Sequence, residues 1–433
     1  MWIYKKEGND EGIYVPQGRT YIQQICRNIL SDAYTNKIYN LVIAKVEADT
    51  YEEIKEFFKE EHLDLVAVKN GILNLRTREL VPFSSKYRFF SKHPLTYDKD
   101  KDCPIIKEFF KSLFKQAKKE ILVMQEIFGY ILYREYFIEK AFMFLGIGRN
   151  GKGKTIMLMK KFIGEDNTSE IPLEDLEKDI FAQGELFKKN ANLCGDLSKG
   201  ALYKSGKFKS LTGRDPINAA RKFLTRISFI NFSKMIFAAN ELPLTFDLTP
   251  AFFNRWIILD FPFTFLSQKD IDIIPENERD NIKLRDPDII EKIATPNEMS
   301  GLLNWSLDGL DKLFKNKTFS YSPSTEETKK KWLRRSDSCL AFVMDKIETC
   351  YDEYIIKSEF KSEYVRYCQK HRISISGDKM IKHVITVYVG GSDDRISIEN
   401  TQKSVWGGIR FKKDKNYFFP MWFKFKFGSQ KKK

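Results

Sequence analysis

The sequence predicts an α/β fold whose central part is a parallel β-sheet. From Ala141 onward, short apolar runs alternate with glycine-rich or polar loops; the runs are AFMFL at 141–145, ANLC at 191–194, MIFAA at 235–239 and WIIL at 256–259. Uniformly apolar runs of this length are typical of parallel strands that are covered on both faces. The first run leads into a glycine-rich loop, and a helix is expected after that loop. We therefore place the core domain over residues 139–318.

The preceding residues, 1–138, predict a mixed α/β accessory domain that becomes helical toward its end. An Asn70-Gly71 turn separates the apolar runs Leu63–Val68 and Ile72–Leu75, which is a strong signal for a β-hairpin. Pro104 can occupy the first turn of a helix. Apolar residues then recur at helical spacing, at Ile105, Phe109 and Leu113 and again at Ile121, Met124, Phe128 and Ile131. Two packed helices should therefore lead into the core domain.

A third domain is expected after the core, because the chain has 433 residues and single hydrophobic cores rarely exceed about 250–300 residues. A polar stretch with Ser, Thr and Pro covers 316–331, and we predict a linker over 319–331. Residues 332–433 show helical patterning to about Lys382 and strand-like alternation over 421–427. Helices followed by a β-ribbon favour a winged-helix-like α+β domain.

The strongest chemical motif is a phosphate-binding loop. It matches G-x-x-x-x-G-K-[ST] and consists of Gly148, Arg149, Asn150, Gly151, Lys152, Gly153, Lys154 and Thr155. The glycines let backbone N–H groups wrap phosphates, and the predicted helix that begins near Lys154 adds its dipole. Lys154 would bring positive charge to the β- and γ-phosphates, and the Thr155 hydroxyl could ligate Mg²⁺. The motif therefore predicts binding of ATP with Mg²⁺.

Three further polar residues flank the predicted strands and complete a catalytic set with Lys154. Asp196 follows the second run, 41 residues after Thr155 (196 − 155 = 41), where a carboxylate can hold Mg²⁺ or its water. Asn240 follows the third run and could orient water against the γ-phosphate. Arg255 precedes the fourth run and could stabilise transition-state charge from a neighbouring subunit. The alternatives are a turn residue at Asp196, a loop-capping Asn240 and a surface salt bridge at Arg255.

A basic segment between Asp196 and Asn240 is the candidate DNA contact. It contains KFKSLTGRD at 207–215 and ARKFLTR at 220–226. On a hairpin that projects into a channel, Lys209, Arg221 and Lys222 could contact phosphates, and Phe223 could meet a base or pack the hairpin. A solvated basic face is the alternative.

The overall composition favours a polyanionic partner. The net charge is +14, and residues 401–433 hold ten Lys or Arg against one Asp, which gives 10 − 1 = +9 in that segment. No apolar run approaches the roughly 18 residues that span a bilayer, and the N-terminal residues MWIYKKEGNDEG lack the apolar core of a signal peptide. We therefore expect a cytoplasmic protein with no membrane partner. The six cysteines form no C-x-x-C pair, so neither a disulfide framework nor a zinc knuckle is indicated.

Taken in order, these motifs resemble the superfamily 3 helicases of plasmid, phage and poxvirus primase-helicases. The resemblance rests on GIGRNGKGKT, the strand that ends in GD, LTGRD with its basic continuation, AANELP and FFNRW. It is most specific over about residues 140–262 and extends more weakly to VKNGILNL at 68–75 and GLLNW at 301–305. Most of the chain is thereby covered.

The resemblance implies an AAA+-like P-loop core in a ring, typically hexameric, with ATP at the subunit interfaces and Arg255 acting in trans. It further implies 3′-to-5′ movement along single-stranded DNA, replication-fork DNA as a partner and possible cooperation with a primase domain or protein. The 138 residues upstream of the core are too few for a catalytic primase together with the accessory domain.

Two positions depart from the family pattern. Gly195 precedes Asp196 where many members carry paired acids, and Arg214 stands where a TGGD-like segment has glycine. Arg214 could be a DNA contact or an interface pair. Two rival functions stay open: an ATP-binding DNA clamp or initiator without translocation, and another P-loop enzyme such as a small-molecule kinase.

Overall fold

The computed structural model describes residues 1–412 apart from 60, 61, 116, 198, 199, 201, 222, 223, 372, 399 and 400. The chain forms two compact units, Met1–Lys330 and Lys331–Lys433. The alternating segment predicted over 421–427 lies outside the described residues. Among the helices that are described, none combines the length and the apolar character needed to cross a bilayer.

The first unit opens with short strands and helices. These are β1 (Ile3–Tyr4), β2 (Tyr14–Val15), α1 (Gly18–Leu30), α2 (Asn36–Asp49), α3 (Ile54–Phe57), β3 (Leu65–Val68), β4 (Gly71–Asn74) and β5 (Leu80–Val81). The predicted hairpin is confirmed, because β3 and β4 pair antiparallel with Val68 opposite Gly71. Its turn is Lys69-Asn70 rather than Asn70-Gly71. The Asn70 side chain exchanges hydrogen bonds of 2.9 and 3.0 Å with the Tyr97 backbone, which holds the turn in place.

Two helices follow, as predicted: α4 (Pro104–Leu113) and α5 (Ala117–Leu132). The apolar stripe of α4 lies one position later than expected at its start, because Ile106 is buried and Ile105 is 44% exposed. The buried residues Ile106, Phe109, Phe110 and Leu113 occupy positions i, i+3, i+4 and i+7 of one helix face.

The central part is the predicted parallel sheet with its connecting helices and one hairpin. Its elements are β6 (Ala141–Leu145), α6 (Lys152–Ile163), β7 (Thr168–Ser169), α7 (Leu173–Lys178), α8 (Ile180–Gly184), β8 (Ala191–Cys194), α9 (Gly206–Thr212), β9 (Pro216–Arg221), β10 (Leu224–Ile230), β11 (Lys234–Ala239), α10 (Pro250–Phe253) and β12 (Trp256–Asp260). Five strands lie in the order β12-β6-β11-β8-β7, and every pair is parallel. All four apolar runs are confirmed as strands of this sheet, and every residue of β6, β8 and β11 is buried.

The first unit ends with a smaller strand pair and a long helix. These elements are β13 (Thr264–Leu266), α11 (Gln268–Asp272), β14 (Ile282–Leu284), α12 (Ile289–Ile293) and α13 (Pro296–Asn316). Helix α13 lies closely against α5, because a Cβ at Gly129 would come within 2.3 Å of the Ser306 carbonyl oxygen and one at Gly309 within 2.4 Å of the Gln125 carbonyl oxygen. Only glycine fits at these two crossing points. Residues on both sides of position 138 therefore share one hydrophobic core.

The second unit begins within α14 (Thr325–Ser336), so part of the predicted linker is helical. It continues with α15 (Ser338–Lys346), β15 (Ile347–Ile356), α16 (Lys357–His371), α17 (Asp378–His383), a π-helical turn (Val384–Val389), β16 (Ser392–Ile398) and β17 (Thr401–Phe411). The three strands form an antiparallel sheet in the order β15-β17-β16. The described element order of this unit is therefore helix, strand, two helices and two paired strands.

Candidate functional site

The candidate site lies at the carboxyl edge of the parallel sheet. The loops that follow β6, β11 and β8 leave from neighbouring strands at this edge. The strands β7, β8 and β11 lie on one side of β6, and the later strand β12 lies on its other side. The strand order therefore reverses at β6. In open parallel sheets, ligands bind outside the carboxyl ends of the strands at such a switch point.

The glycine-rich loop runs from Gly146 to Gly151 and is held by backbone contacts. The Gly146 N–H donates to the Ala239 carbonyl at 3.2 Å, and the Phe265 N–H donates to the Arg149 carbonyl at 2.7 Å. Arg149 and Gly151 have left-handed backbone conformations, with φ of 53° and 90°. A Cβ at Gly146 would lie 2.5 Å from the Phe261 carbonyl oxygen, so glycine is required where the loop leaves the strand.

Helix α6 begins at Lys152, two residues earlier than predicted, because the left-handed Gly151 ends the loop there. The Lys152 side chain is buried, with the residue only 6% exposed. Its Nζ donates to the Gly146 carbonyl and, at 3.2 Å, to Oδ1 of Asn240. Burial lowers the pKa of Lys152 to about 8, and the nearby Asp196 carboxylate opposes that lowering. The structure thus brings Lys152, Asn240 and Asp196 together.

The two residues to which the motif gave the main roles, Lys154 and Thr155, lie in the first turn of α6. Lys154 is partly exposed in the first turn of α6. Thr155 is fully buried, and its hydroxyl donates to the Gly151 carbonyl at 3.1 Å within the helix. The overlooked signal is a second, partial copy of the spacing. Gly146 and Gly151-Lys152 also match G-x-x-x-x-G-K, with Gly153 in place of the final Ser or Thr, and Gly146 directly follows the strand.

The donors at this edge fit a phosphate group and a magnesium ion bound together. A Cβ at Gly148 or at Gly153 would meet no atom within 4 Å, so the chain faces open space at these two positions. Asp196 is exposed, and the Leu197 N–H holds the segment after it to the Ala238 carbonyl at 2.8 Å. Within the described part of the chain, no group of three His, Cys, Asp or Glu side chains could hold a metal. A cation here would need phosphate or water oxygens as well, which is how Mg²⁺ commonly binds.

Arg255 lies at the opposite, amino edge of the sheet, because it directly precedes β12. Its Nε donates to the Thr212 hydroxyl at 2.9 Å, its Nη1 to the Ala251 carbonyl at 2.7 Å and its Nη2 to the Glu139 carboxylate at 3.1 Å. The structure therefore does not bring Arg255 to the Lys152 side of its own sheet.

The hairpin expected within the basic segment is present as β9 and β10, with Arg221 paired to Leu224. Lys222 and Phe223 lie outside the described residues, and only the backbone of Arg221 is described. Lys209 is not on the hairpin, which corrects the prediction. It lies on α9, where its Nζ contacts Oδ2 of Asp247 at 2.9 Å.

Arg214, the residue that departs from the family pattern, is held by contacts within the chain. Its Nε donates to the Tyr136 carbonyl at 2.9 Å, and its Nη1 forms an ion pair with Glu135 at 3.2 Å. Its φ is 63°, in the left-handed region that favours glycine. A glycine would adopt this left-handed conformation without strain. At Arg214 the side-chain bonds to Tyr136 and Glu135 offset the cost of that conformation.

Comparisons with known proteins match two family models. One is described as a family of unknown function (DUF5906) and matches residues 145–255; the other is described as D5 N terminal like and matches residues 8–115. Neither model spans half of the chain. A search of curated proteins found no significant match.

Among solved structures, the apo A form of the NrS-1 C-terminal region is similar with 16% identity and a TM-score of 0.38, covering 74% of this chain and 80% of that chain. A JCV helicase with a bound acetamide compound is similar with 14% identity and a TM-score of 0.28, covering 56% and 64%. Because both TM-scores lie below 0.5, these similarities do not by themselves establish the fold.

Proposed function

We propose that the chain is an ATP-dependent DNA helicase or translocase of the superfamily 3 type that serves replication of a plasmid, phage or virus. The observation that carries the proposal is the meeting of Lys152, Asn240 and Asp196 beside an open glycine loop at the switch point of a parallel sheet. The motif order over residues 140–262 supplies the family. The D5 N terminal like match over residues 8–115 is compatible with the accessory domain that this family implies.

In this proposal Lys152, and not Lys154, is the lysine that contacts the β- and γ-phosphates of ATP. Its buried ammonium donates to the neutral oxygens of Gly146 and Asn240, so a phosphate would add negative charge to that of the nearby Asp196 carboxylate. Asn240 would orient water, and Asp196 would hold Mg²⁺ or its water. Mg²⁺, when bound, would neutralise charge on the phosphate oxygens. The Thr155 hydroxyl remains a proposed ligand of Mg²⁺ and would exchange its hydrogen bond to the Gly151 carbonyl for the metal.

Arg255 is proposed to act on the ATP site of a neighbouring subunit in a ring, which we take to be hexameric. Its place at the amino edge supports this, since a residue there cannot reach the carboxyl edge of the same sheet. Mixing Arg255→Ala subunits with Asp196→Ala subunits tests the assignment, because mixed assemblies contain sites with two intact halves. Partial recovery of ATP hydrolysis is expected. A co-assembled mixture as inactive as each variant alone would place both residues in one subunit's site.

The nucleic-acid contacts are proposed to lie on the β9–β10 hairpin, through Arg221 and Lys222, and on the second unit. The order of helix, strand, two helices and two strands in that unit supports a winged-helix-like domain. A chain that ends at Lys330 should keep basal ATP hydrolysis but bind single-stranded DNA more weakly. The log–log dependence of affinity on salt should also flatten by about 0.7 for each lost phosphate contact. Equal slopes for both chains would exclude a DNA-binding role of the second unit.

Stimulation of ATP hydrolysis by single-stranded DNA separates the motor from its two rivals. A motor should hydrolyse ATP faster with DNA and should displace a strand from a fork with a 3′ tail. An ATP-binding clamp would bind DNA with no change in turnover. A small-molecule kinase would transfer phosphate to its own substrate without regard to DNA. Unstimulated turnover together with no strand displacement would therefore reject the proposal.

A further inference from the structure

Two loop segments extend from the candidate ATP site and pair with each other beyond it. One leaves β8 and passes Asp196, and the other leaves β11 and passes Asn240. They meet in a parallel bridge in which the Leu202 N–H donates to the Leu244 carbonyl at 2.7 Å and the Phe246 N–H donates to the Leu202 carbonyl at 3.2 Å. The two segments are thereby fixed relative to each other.

Each segment presents one aromatic ring directly beside this pairing. The rings of Tyr203 and Phe246 are stacked, with centroids 5.0 Å apart and planes inclined by 9°. Tyr203 is 69% exposed and Phe246 is 50% exposed. Large aromatic side chains are normally buried, so a stacked pair that remains this exposed presents an unusual flat apolar face to solvent.

The surroundings of the rings are basic. A groove of about 780 Å³ is lined by both rings together with Lys204, Lys207 and Lys209. Lys204 and Lys207 are exposed, whereas Lys209 contacts Asp247.

The two acids of the groove are occupied within the chain. Glu177 accepts the N–H groups of Lys207 and Phe208 at 3.2 and 2.7 Å, and Asp247 accepts hydrogen bonds from Ser205, Thr249 and Lys209. These hydrogen bonds hold the pKa of Asp247 well below its usual range, although its burial acts in the opposite direction. The groove therefore holds three lysines and two carboxylates, and its exposed charged side chains are Lys204 and Lys207.

We propose that Tyr203 and Phe246 form a stacking platform for a base of single-stranded DNA, with Lys204 and Lys207 contacting the flanking phosphates. An exposed aromatic face beside lysines is the combination that binds single strands without regard to sequence. The platform is separate from the β9–β10 hairpin and rests on the proposed function. Its two rings lie seven residues after Asp196 (203 − 196 = 7) and six after Asn240 (246 − 240 = 6) along the chain.

Binding of a labelled oligothymidylate, measured beside an abasic strand of equal length, tests the platform in the full chain. Tyr203→Ala should weaken binding of oligothymidylate about tenfold and leave binding of the abasic strand unchanged, since only bases stack. Tyr203→Phe keeps the ring and should bind like the wild type. Tyr51→Ala removes an equally exposed tyrosine, at 74%, and serves as the matched control. Melting curves confirm that each variant is folded.

The lysines are tested by a salt series with the Lys204→Gln, Lys207→Gln double variant. Loss of two phosphate contacts should flatten the log–log slope by about 1.4, which is twice the single-strand value of 0.7. The platform would be overturned if Tyr203→Ala bound oligothymidylate with the affinity of the wild type. It would also be overturned if the variant formed smaller oligomers and kept its affinity for DNA. Either result leaves the proposed function standing if DNA still stimulates ATP hydrolysis. A wild-type chain that neither binds DNA nor hydrolyses ATP would overturn the proposed function and the platform together.

Discussion

Two buried lysines at opposite edges of the same sheet show how its two ends differ. Lys234 begins β11 at the amino edge, and Lys152 lies beside the last residues of β6 and β11 at the carboxyl edge. Each ammonium donates to two uncharged oxygens, and burial lowers the pKa of each side chain. The bonding of the two groups is therefore similar, and their surroundings distinguish them.

At the amino edge the space around the charge is filled. Lys234 is fully buried, donates to the Tyr133 and Phe232 carbonyls and has its Nζ 4.5 Å from the centre of the Tyr130 ring. The neighbouring Arg255 likewise has three acceptors within the chain. At the carboxyl edge, the loop and helix turn around Lys152 face open space at Gly148 and Gly153. We conclude that the buried charge of Lys234 holds the fold and that Lys152 is placed to receive an anion.

The largest effect should come from removing Lys152. We expect Lys152→Ala to lower the rate of ATP hydrolysis at least about 100-fold, the usual effect of losing a preorganised charge on a transferring group. Lys154→Ala is the matched control, two residues away in the same helix turn, and should lower the rate much less. Turnover at saturating ATP with Mg²⁺ measures both. A larger loss of turnover in Lys154→Ala than in Lys152→Ala would mean that Lys154 contacts the phosphates.

A second effect should appear in the pH dependence of stability when Lys234 is replaced by methionine. Because the pKa of Lys234 is lowered on folding, the unfolded chain binds more protons at this site between the folded pKa and the ordinary value near 10.4. The free energy of unfolding should therefore rise with pH in that window, by up to about 1.4 kcal/mol per pH unit for one proton. Lys234→Met removes this contribution.

Urea denaturation of both chains from neutral pH to about pH 10 measures the difference. The stability of the wild type relative to Lys234→Met should grow as pH rises. Lys161→Met removes an exposed lysine from the surface and corrects for the general loss of a positive charge. A constant difference between wild type and Lys234→Met would mean that the buried ammonium is not penalised by its surroundings.

The smallest effect concerns Arg214, whose left-handed backbone is offset by its bonds to Tyr136 and Glu135. Arg214→Ala and Arg214→Gly both lose these bonds, but only glycine relieves the backbone conformation. The glycine variant should therefore be more stable than the alanine variant by about 1 kcal/mol. Chemical denaturation of the two variants compares them directly. Equal stabilities would show that the left-handed conformation carries no strain at this position.

Much of the fold was predictable because its signals are local. The four strands of the core are uninterrupted apolar runs, and Lys69, Asn70 and Gly71 mark the N-terminal hairpin. The helices α4 and α5 follow from apolar periodicity, although the spacing of the first stripe is wrong by one residue at Ile105. Signals of this kind depend on residues that are close in sequence, so they can be recognised without knowledge of the tertiary structure.

The candidate site was predictable in its parts but not in its contacts. The sequence by itself determined that Asp196 and Asn240 follow neighbouring buried strands and that a phosphate-type loop precedes them. It favoured Lys154, because Thr155 completes the motif G-x-x-x-x-G-K-[ST] after Lys154, whereas Gly153 follows Lys152. Only the pairing of β6 with β11 decided which lysine meets Asn240. The tertiary structure likewise decided that Lys209 contacts Asp247 and that Arg255 lies at the far edge, because these contacts join segments 38 and 43 or more residues apart.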